Sequence, residues 1–183
     1  MRRIAVLSGL VLVGGVLGPS TAFAGEDGSH GSDQNRWIAV EDNFAVVLPD
    51  GQTFTGDPGP LNPNDPPAVG TRLFISEALY ATADGSTRGA AVGRSHIECS
   101  AQAVAFNFLC EAALVFDSGS QLTVSVDLDF SDPSAQGAPF DIAVTGGTDD
   151  FFGATGQVTA TDISTSDAES VTRYEADLVL PHK

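Results

Sequence analysis

Eight stretches of this chain alternate apolar and polar side chains with a period of two, and that pattern leaves few ways to fold. It is cleanest over 121–130, where Leu122, Val124, Val126, Leu128 and Phe130 alternate with Gln121, Thr123, Ser125, Asp127 and Asp129. Only a strand sorts such a row onto opposite faces. Looser versions run through 36–48, 71–80, 88–99, 104–117, 140–144, 153–163 and 171–180. Links such as Ala83-Asp84-Gly85-Ser86, Asp117-Ser118-Gly119-Ser120 and Ser131-Asp132-Pro133 hold turn-forming residues, and no stretch has a convincing helical period. Eight antiparallel strands with short links form either a sandwich or a barrel, and closure also removes the edges that would invite aggregation. The expected fold is all-β, an eight-stranded antiparallel up-and-down β-barrel.

The rest of the chain fits one such domain. Arg2 and Arg3, an apolar run from Ile4 to Leu17 and Ala22-Phe23-Ala24 together read as a signal peptide over 1–24, so the protein is expected to be secreted. A polar tether over 25–35 and a single domain over 36–183 follow. Loss of Arg2 and Arg3 leaves six basic residues against 24 acidic ones, moving the formal charge from -16 to -18. That charge repels nucleic acid and anionic membranes, and neither is expected as a partner. Prolines 58, 60, 63, 66 and 67 forbid a central strand within 50–70 and indicate a long loop there.

Three groups of residues bear on chemistry. Glu77 shares a strand face with Leu73, Ile75 and Leu79. If that face lines the barrel, desolvation raises its pKa and makes it a general acid or base; if it lies at the rim, the carboxylate stays in water. Glu77 is thus the catalytic candidate. Tyr80 and Tyr174 are candidate donors to a ligand oxygen, and Ser95 joins them as a cavity candidate. Val104, Phe106, Phe108, Cys110, Ala112, Leu114 and Phe116 form an uncharged row expected to face inward, with Phe106 and Phe108 as ligand-contacting walls. His96 shares a face with Arg94 and Glu98, while His30 and His182 lie in terminal segments, so no metal site is expected. No cofactor is expected either.

Cys99 and Cys110 are the only cysteines, and an oxidising compartment favours their pairing. A hairpin centred between Val104 and Ala105 sets them opposite each other; a turn centred on Gln102 moves them apart. The bridge is the expected outcome.

The run Thr145-Gly146-Gly147-Thr148-Asp149-Asp150-Phe151-Phe152-Gly153-Ala154-Thr155-Gly156 reads as a glycine-dense corner whose paired aromatics send rings to opposite sides. With Gly70-Thr71-Arg72-Leu73-Phe74-Ile75-Ser76-Glu77-Ala78-Leu79-Tyr80, Gly93-Arg94-Ser95-His96-Ile97-Glu98-Cys99 and Gly119-Ser120-Gln121-Leu122-Thr123-Val124, it resembles the allene oxide cyclase and dirigent-protein barrel superfamily, in particular its secreted bacterial branch. The resemblance covers about 38–180. It departs at the corner, where Asp149 replaces a glycine, and before the second strand, where Thr71 replaces an aspartate. Glu41-Asp42-Asn43 resembles the Glu-x-Asn pair of the plant cyclases; their second-strand asparagine falls near Glu77 and their cavity cysteine on Cys99.

The resemblance implies a barrel, often trimeric, whose apolar cavity holds a small molecule. Two functions follow. One is a cyclase or isomerase that folds a small apolar unsaturated substrate into a reactive conformation. The other is a non-catalytic, dirigent-like carrier with the same cavity.

Overall fold

The computed structural model describes residues 35–56, 65–131, 137–166 and 168–181; the expected signal peptide over 1–24 and all but the end of the expected tether lie outside them. The chain forms β1 (Arg36–Val47), β2 (Thr53–Thr55), β3 (Arg72–Ala81), β4 (Ala91–Ala101), β5 (Asn107–Phe116), β6 (Gln121–Asp129), β7 (Phe140–Thr148), β8 (Thr155–Asp162) and β9 (Val171–Val179). Each of β3 to β9 pairs antiparallel with its sequence neighbour, and β1 pairs with both β3 and β9, closing an eight-stranded barrel. The only helical element among the described residues is a 3-10 turn, Asp149–Phe151.

The strand that closes the barrel has two duties on one edge. Trp37 to Val40 pair with β9, and past a bulge at Asp42 the same edge takes up β2, where Val46 sits opposite Phe54. The short β2 lies within the stretch that sequence assigned to a loop. Prolines 58, 60 and 63 lie outside the described residues, so the 50–70 loop is only partly seen.

Two glycines show why particular turns take their shape. Gly119, at φ 94°, donates to the Phe116 carbonyl and closes the β5–β6 hairpin in a conformation that an L side chain resists. Gly147 has a different use. A Cβ there would stand 2.5 Å from the Cβ of Phe151, so its absence lets the 3-10 turn fold tightly against β7. The run from Thr145 is therefore not all corner: β7 continues through both glycines to Thr148, and the turn begins after it. Its aromatics do part company. Phe151 packs on Phe116 with ring centroids 5.2 Å apart, while Phe152 is 72 % exposed.

The two ends of the barrel are filled differently. At the end holding the β3–β4, β5–β6 and β7–β8 connections, Trp37, Phe116 and Phe151 stack in series, and Leu79, Leu114 and Leu122 beside them are fully buried. Toward the other end, the inward residues Leu73, Ile75, Ile97, Ala112, Val126 and Leu128 are only half-buried. The disulfide Cys99–Cys110 crosses this half, its Cα atoms 4.0 Å apart, among Phe108, Leu73 and Phe130. The hairpin is centred between Val104 and Ala105, the register that brings the two cysteines opposite each other.

The inward row of β5 is shorter at its start than the alternation suggests. Val104 is 66 % exposed and belongs to the turn, where the Asn107 amide donates to its carbonyl and the Gln102 amide donates to Asn107. These bonds tie off the hairpin before Phe108. The inward row is therefore Phe108, Cys110, Ala112, Leu114 and Phe116, with Leu109 and Glu111 exposed on the other face.

Candidate functional site

Glu77 lies where the packed end meets the half-open one. Along the inward row of β3 it follows Ile75, half-buried, and precedes Leu79, fully buried. Glu77 is itself only 4 % exposed. From β9, on the other side of β1, the Tyr174 hydroxyl donates to Glu77 Oε2 at 2.9 Å, joining residues 97 apart in sequence. From β4, Ser95 stands directly opposite Glu77 in register, and from β1 so does Glu41.

These neighbours act on the carboxyl in opposite directions. Burial pushes the Glu77 pKa up from 4.5 to about 7; the Tyr174 hydrogen bond and the Ser95 hydroxyl hold it down, and the charges of Glu41 and Asp42 push it further up. Burial, then the Glu77 charge and its hydrogen bond, raise the Tyr174 phenol well above its ordinary value, so it remains a neutral donor. Ser95 is fully buried and near enough to influence both groups, and its Oγ completes a hydrogen bond with neither. The site therefore holds a carboxyl shared between its two protonation states at neutral pH and a buried hydroxyl with unused capacity.

Of the residues that sequence placed together, the structure unites Glu77, Ser95 and Tyr174. Phe108 is buried farther along the lumen, beside the disulfide. Tyr80 is separated from this group: it pairs with Ile38, on the face opposite Trp37, Ala39 and Leu79, and so lies on the outside of the barrel. Phe106 is also set apart, in the β4–β5 turn at φ 62°, where its carbonyl accepts from the Phe130 amide. Period-two counting put Phe106 in the row because the turn residues continue the alternation by chance.

Glu41 was legible only as part of Glu41-Asp42-Asn43. The bulge at Asp42 leaves Glu41 in register with Glu77 and shifts Asn43 opposite Ser76, on the other face. Asp42 itself forms an ion pair with Arg94. Among the described residues no cluster of His, Cys, Asp and Glu has the makings of a metal site.

A groove of about 480 Å³ crosses β3 to β7 elsewhere, lined in part by Phe74, Ser76, His96, Glu98, Glu111 and Thr123. It includes none of Glu77, Ser95 and Tyr174. Within it the Ser76 hydroxyl and His96 Nδ1 are 3.2 Å apart.

No protein-family model and no curated protein sequence matches this chain. Solved structures do. A pyocyanin demethylase superposes with a TM-score of 0.52 at 23 % identity, covering 78 % of this chain and 98 % of its own. The pterocarpan synthase dirigent protein PsPTS1 gives 0.55 at 14 % identity, with 78 % and 91 % covered. The pterocarpan synthase dirigent protein GePTS1 gives 0.53 at 16 %, with 78 % and 85 % covered. The likeness is one of fold. It gives this barrel the same architecture as those three chains.

Proposed function

We propose that this protein binds a small, largely apolar molecule in the half-open part of its lumen and carries out acid–base chemistry on it, of the cyclase or isomerase class, through Glu77. The observation that carries this reading is the buried Glu77 carboxyl, poised near pH 7 and held by Tyr174. A group with that pKa takes up and gives up a proton at neutral pH with little penalty in either direction, as a general acid or base requires. Tyr174 fixes one carboxyl oxygen, and the Ser95 hydroxyl supplies a spare donor for charge that develops on the substrate. The apolar walls exclude water and hold the substrate folded. The fold neighbours support a small-molecule barrel by analogy of architecture.

Localisation and assembly complete the proposal. The leader over 1–24 and the acidic mature chain favour work outside the cell. The groove on β3 to β7 and Leu109, 44 % exposed, favour association of copies, a trimer by the resemblance.

The test is mass spectrometry of small molecules retained by the purified mature protein, followed by incubation of each in deuterated buffer. Acid–base turnover returns an isomer or a deuterium-labelled ligand, and Glu77→Gln is expected to slow it at least tenfold, about 1.4 kcal/mol of barrier. Ligands returned unchanged and unlabelled would contradict the catalytic reading and leave the barrel a carrier.

A further inference from the structure

The barrel closes around all its strands, but one of its ladders stops short. β6 and β7 pair from Gln121 and Thr148 as far as Ser125 and Ala143 and no farther, although β6 runs on to Asp129, paired with β5, and β7 begins at Phe140, paired with β8. The Phe130 amide donates to the Phe106 carbonyl on the β5 side, so even-numbered residues of β6 turn their N–H and C=O toward β5 and odd-numbered ones toward β7. Asp127 and Asp129 therefore present backbone donors and acceptors that the β6–β7 ladder does not take up.

The residues themselves explain the stop. Carried on in the same register, the ladder would set Asp127 opposite Asp141 and Asp129 opposite Pro139. Like charges directly opposite on one face of a sheet repel, and proline has no N–H to give. Each aspartate is also tied to its own side. With its amide oriented to satisfy both neighbours, Asn107 on β5 donates to Asp127 Oδ1 at 2.9 Å and to the Leu128 carbonyl at 2.7 Å, while Thr159 on β8 donates to Asp141 Oδ1 at 2.6 Å. All five described arginines are paired elsewhere, with Glu175, Glu98, Glu169 and Asp42, so none offsets the two charges. Behind this seam lie inward residues of the half-open part, Val126 and Leu128 on β6 and Phe140 on β7, all half-buried. The ends of the barrel are more obstructed. One is filled by the Trp37–Phe116–Phe151 stack, and the other is crossed by the Cys99–Cys110 bridge and by Phe108, whose ring centroid lies 5.6 Å from that of Phe130.

We propose that the small molecule of this lumen enters and leaves sideways, through the seam between residues 126–129 of β6 and 140–142 of β7, and that repulsion between Asp127 and Asp141 holds the seam open. The inference rests on the small-molecule reading of the lumen and adds its route of access. None of Asp127, Asp129 and Asp141 lines the groove on β3 to β7, so the seam is separate from the surface assigned to association of copies. Removing the repulsion lets the ladder run on to positions 127 and 141, whose N–H and C=O groups already face each other's strand. The route then narrows. Passage slows in both directions by the same factor, because a gate changes how often a ligand crosses and not how well it is held.

Amide hydrogen exchange reads the seam, and the kinetics of a probe read the passage. In the mature protein the Asp127 and Asp141 amides are expected to exchange about a hundredfold or more faster than those of Leu128 and Ile142, their strand neighbours that pair with β5 and β8. Asp127→Asn combined with Asp141→Asn removes the repulsion, and Asp127→Lys turns it into attraction. In both variants the amides at 127 and 141 are expected to slow by about tenfold or more. The probe is 1-aminoanthracene, a small neutral fluorophore that brightens in apolar surroundings. Its association and dissociation, followed by stopped flow, are both expected to slow by about threefold or more in the variants, most in Asp127→Lys, while its Kd moves by less than about twofold.

Protection at Asp127 and Asp141 equal to that of Leu128 and Ile142 would show a continuous ladder and overturn the seam, whatever the lumen binds. Variants that gain no protection would overturn the role of the two charges. Protection gained with probe rates unchanged would overturn sideways passage and leave the small-molecule barrel standing. No brightening of the probe by the unaltered protein would overturn both.

Discussion

The two halves of the lumen share one architecture and differ in how far they are filled. On the plugged side, Leu79, Leu114 and Leu122 lie under the Trp37–Phe116–Phe151 stack with almost no exposed surface. On the other side, Leu73, Ile75 and Ile97 occupy the same inward rows of the same strands and remain half-exposed. The difference teaches that an apolar inward row is not by itself a core. It becomes a core only where bulky side chains meet across the axis, and here three aromatics and the tight Gly147–Phe151 contact do so at one end. Glu77 sits on the border, buried enough to lose its water and next to the half-exposed residues through which a ligand would reach it.

Paired truncations sharpen that contrast. Leu79→Ala removes a fully buried side chain and is expected to cost about 3 kcal/mol, whereas Leu73→Ala, in the half-open row, is expected to cost about 1 kcal/mol. Denaturant midpoints of the two variants measure the gap, and equal losses would mean that both halves are packed alike.

Reduction of Cys99–Cys110 tests the open half from another side. The bridge closes a short hairpin loop, so its loss is expected to lower stability by about 3 kcal/mol, chiefly by freeing the unfolded chain. An unchanged midpoint in reductant would show that the bridge is absent from the folded protein.

The border between the halves makes its own prediction. Because the folded state holds the Glu77 proton more tightly than the unfolded chain, it binds more protons between pH 4.5 and 7, and its stability falls as pH rises through that window. Below about 4.5 the group contributes nothing to the slope, and above about 7 the loss is complete, roughly 3 kcal/mol at most. Other carboxylates contribute slopes of their own. The quantity to measure is therefore the difference between the protein and Glu77→Gln, which is expected to grow in favour of the variant across the window. The smallest effect is that of Ser95→Ala, which deletes an unsatisfied buried hydroxyl: stability is expected to change by less than about 1 kcal/mol, while ligand affinity falls. A large loss of stability there would assign Ser95 to the fold.

Much of this was legible in the sequence, for identifiable reasons. The eight barrel strands declare themselves because each has a solvent face and a lumen face, and strict alternation is the imprint of that arrangement. The cysteine pairing was legible because Cys99 and Cys110 are the only two cysteines of a chain expected in an oxidising compartment; the hairpin centre, which the sequence left open between two positions, is given by the structure. Glu77 stood out as the one charge in an apolar row. The partner of Glu77 was not legible, since Tyr174 is brought to it by closure of the barrel and not by any local spacing. Tyr80 was misplaced although the same alternation that groups Glu77 with Leu79 already sets it on the other face of β3, where it pairs with Ile38 on the outside. Phe106 and Val104 extended an alternation that the hairpin turn had already ended. The short β2, three residues in a proline-rich region, leaves no periodic trace at all.

The account depends above all on Glu77 being a lumen carboxyl that titrates near neutrality. Carbon-13 labelling of the glutamate side chains, with the Glu77 resonance assigned by comparison with Glu77→Gln, allows its carboxyl shift to be followed from pH 3 to pH 9 in the folded protein. A midpoint near 7, displaced upward again in Tyr174→Phe where the hydrogen bond to the carboxylate is lost, is the predicted result. A midpoint near the ordinary glutamate value of about 4.3, unmoved by loss of the Tyr174 hydroxyl, would place Glu77 in water and contradict it.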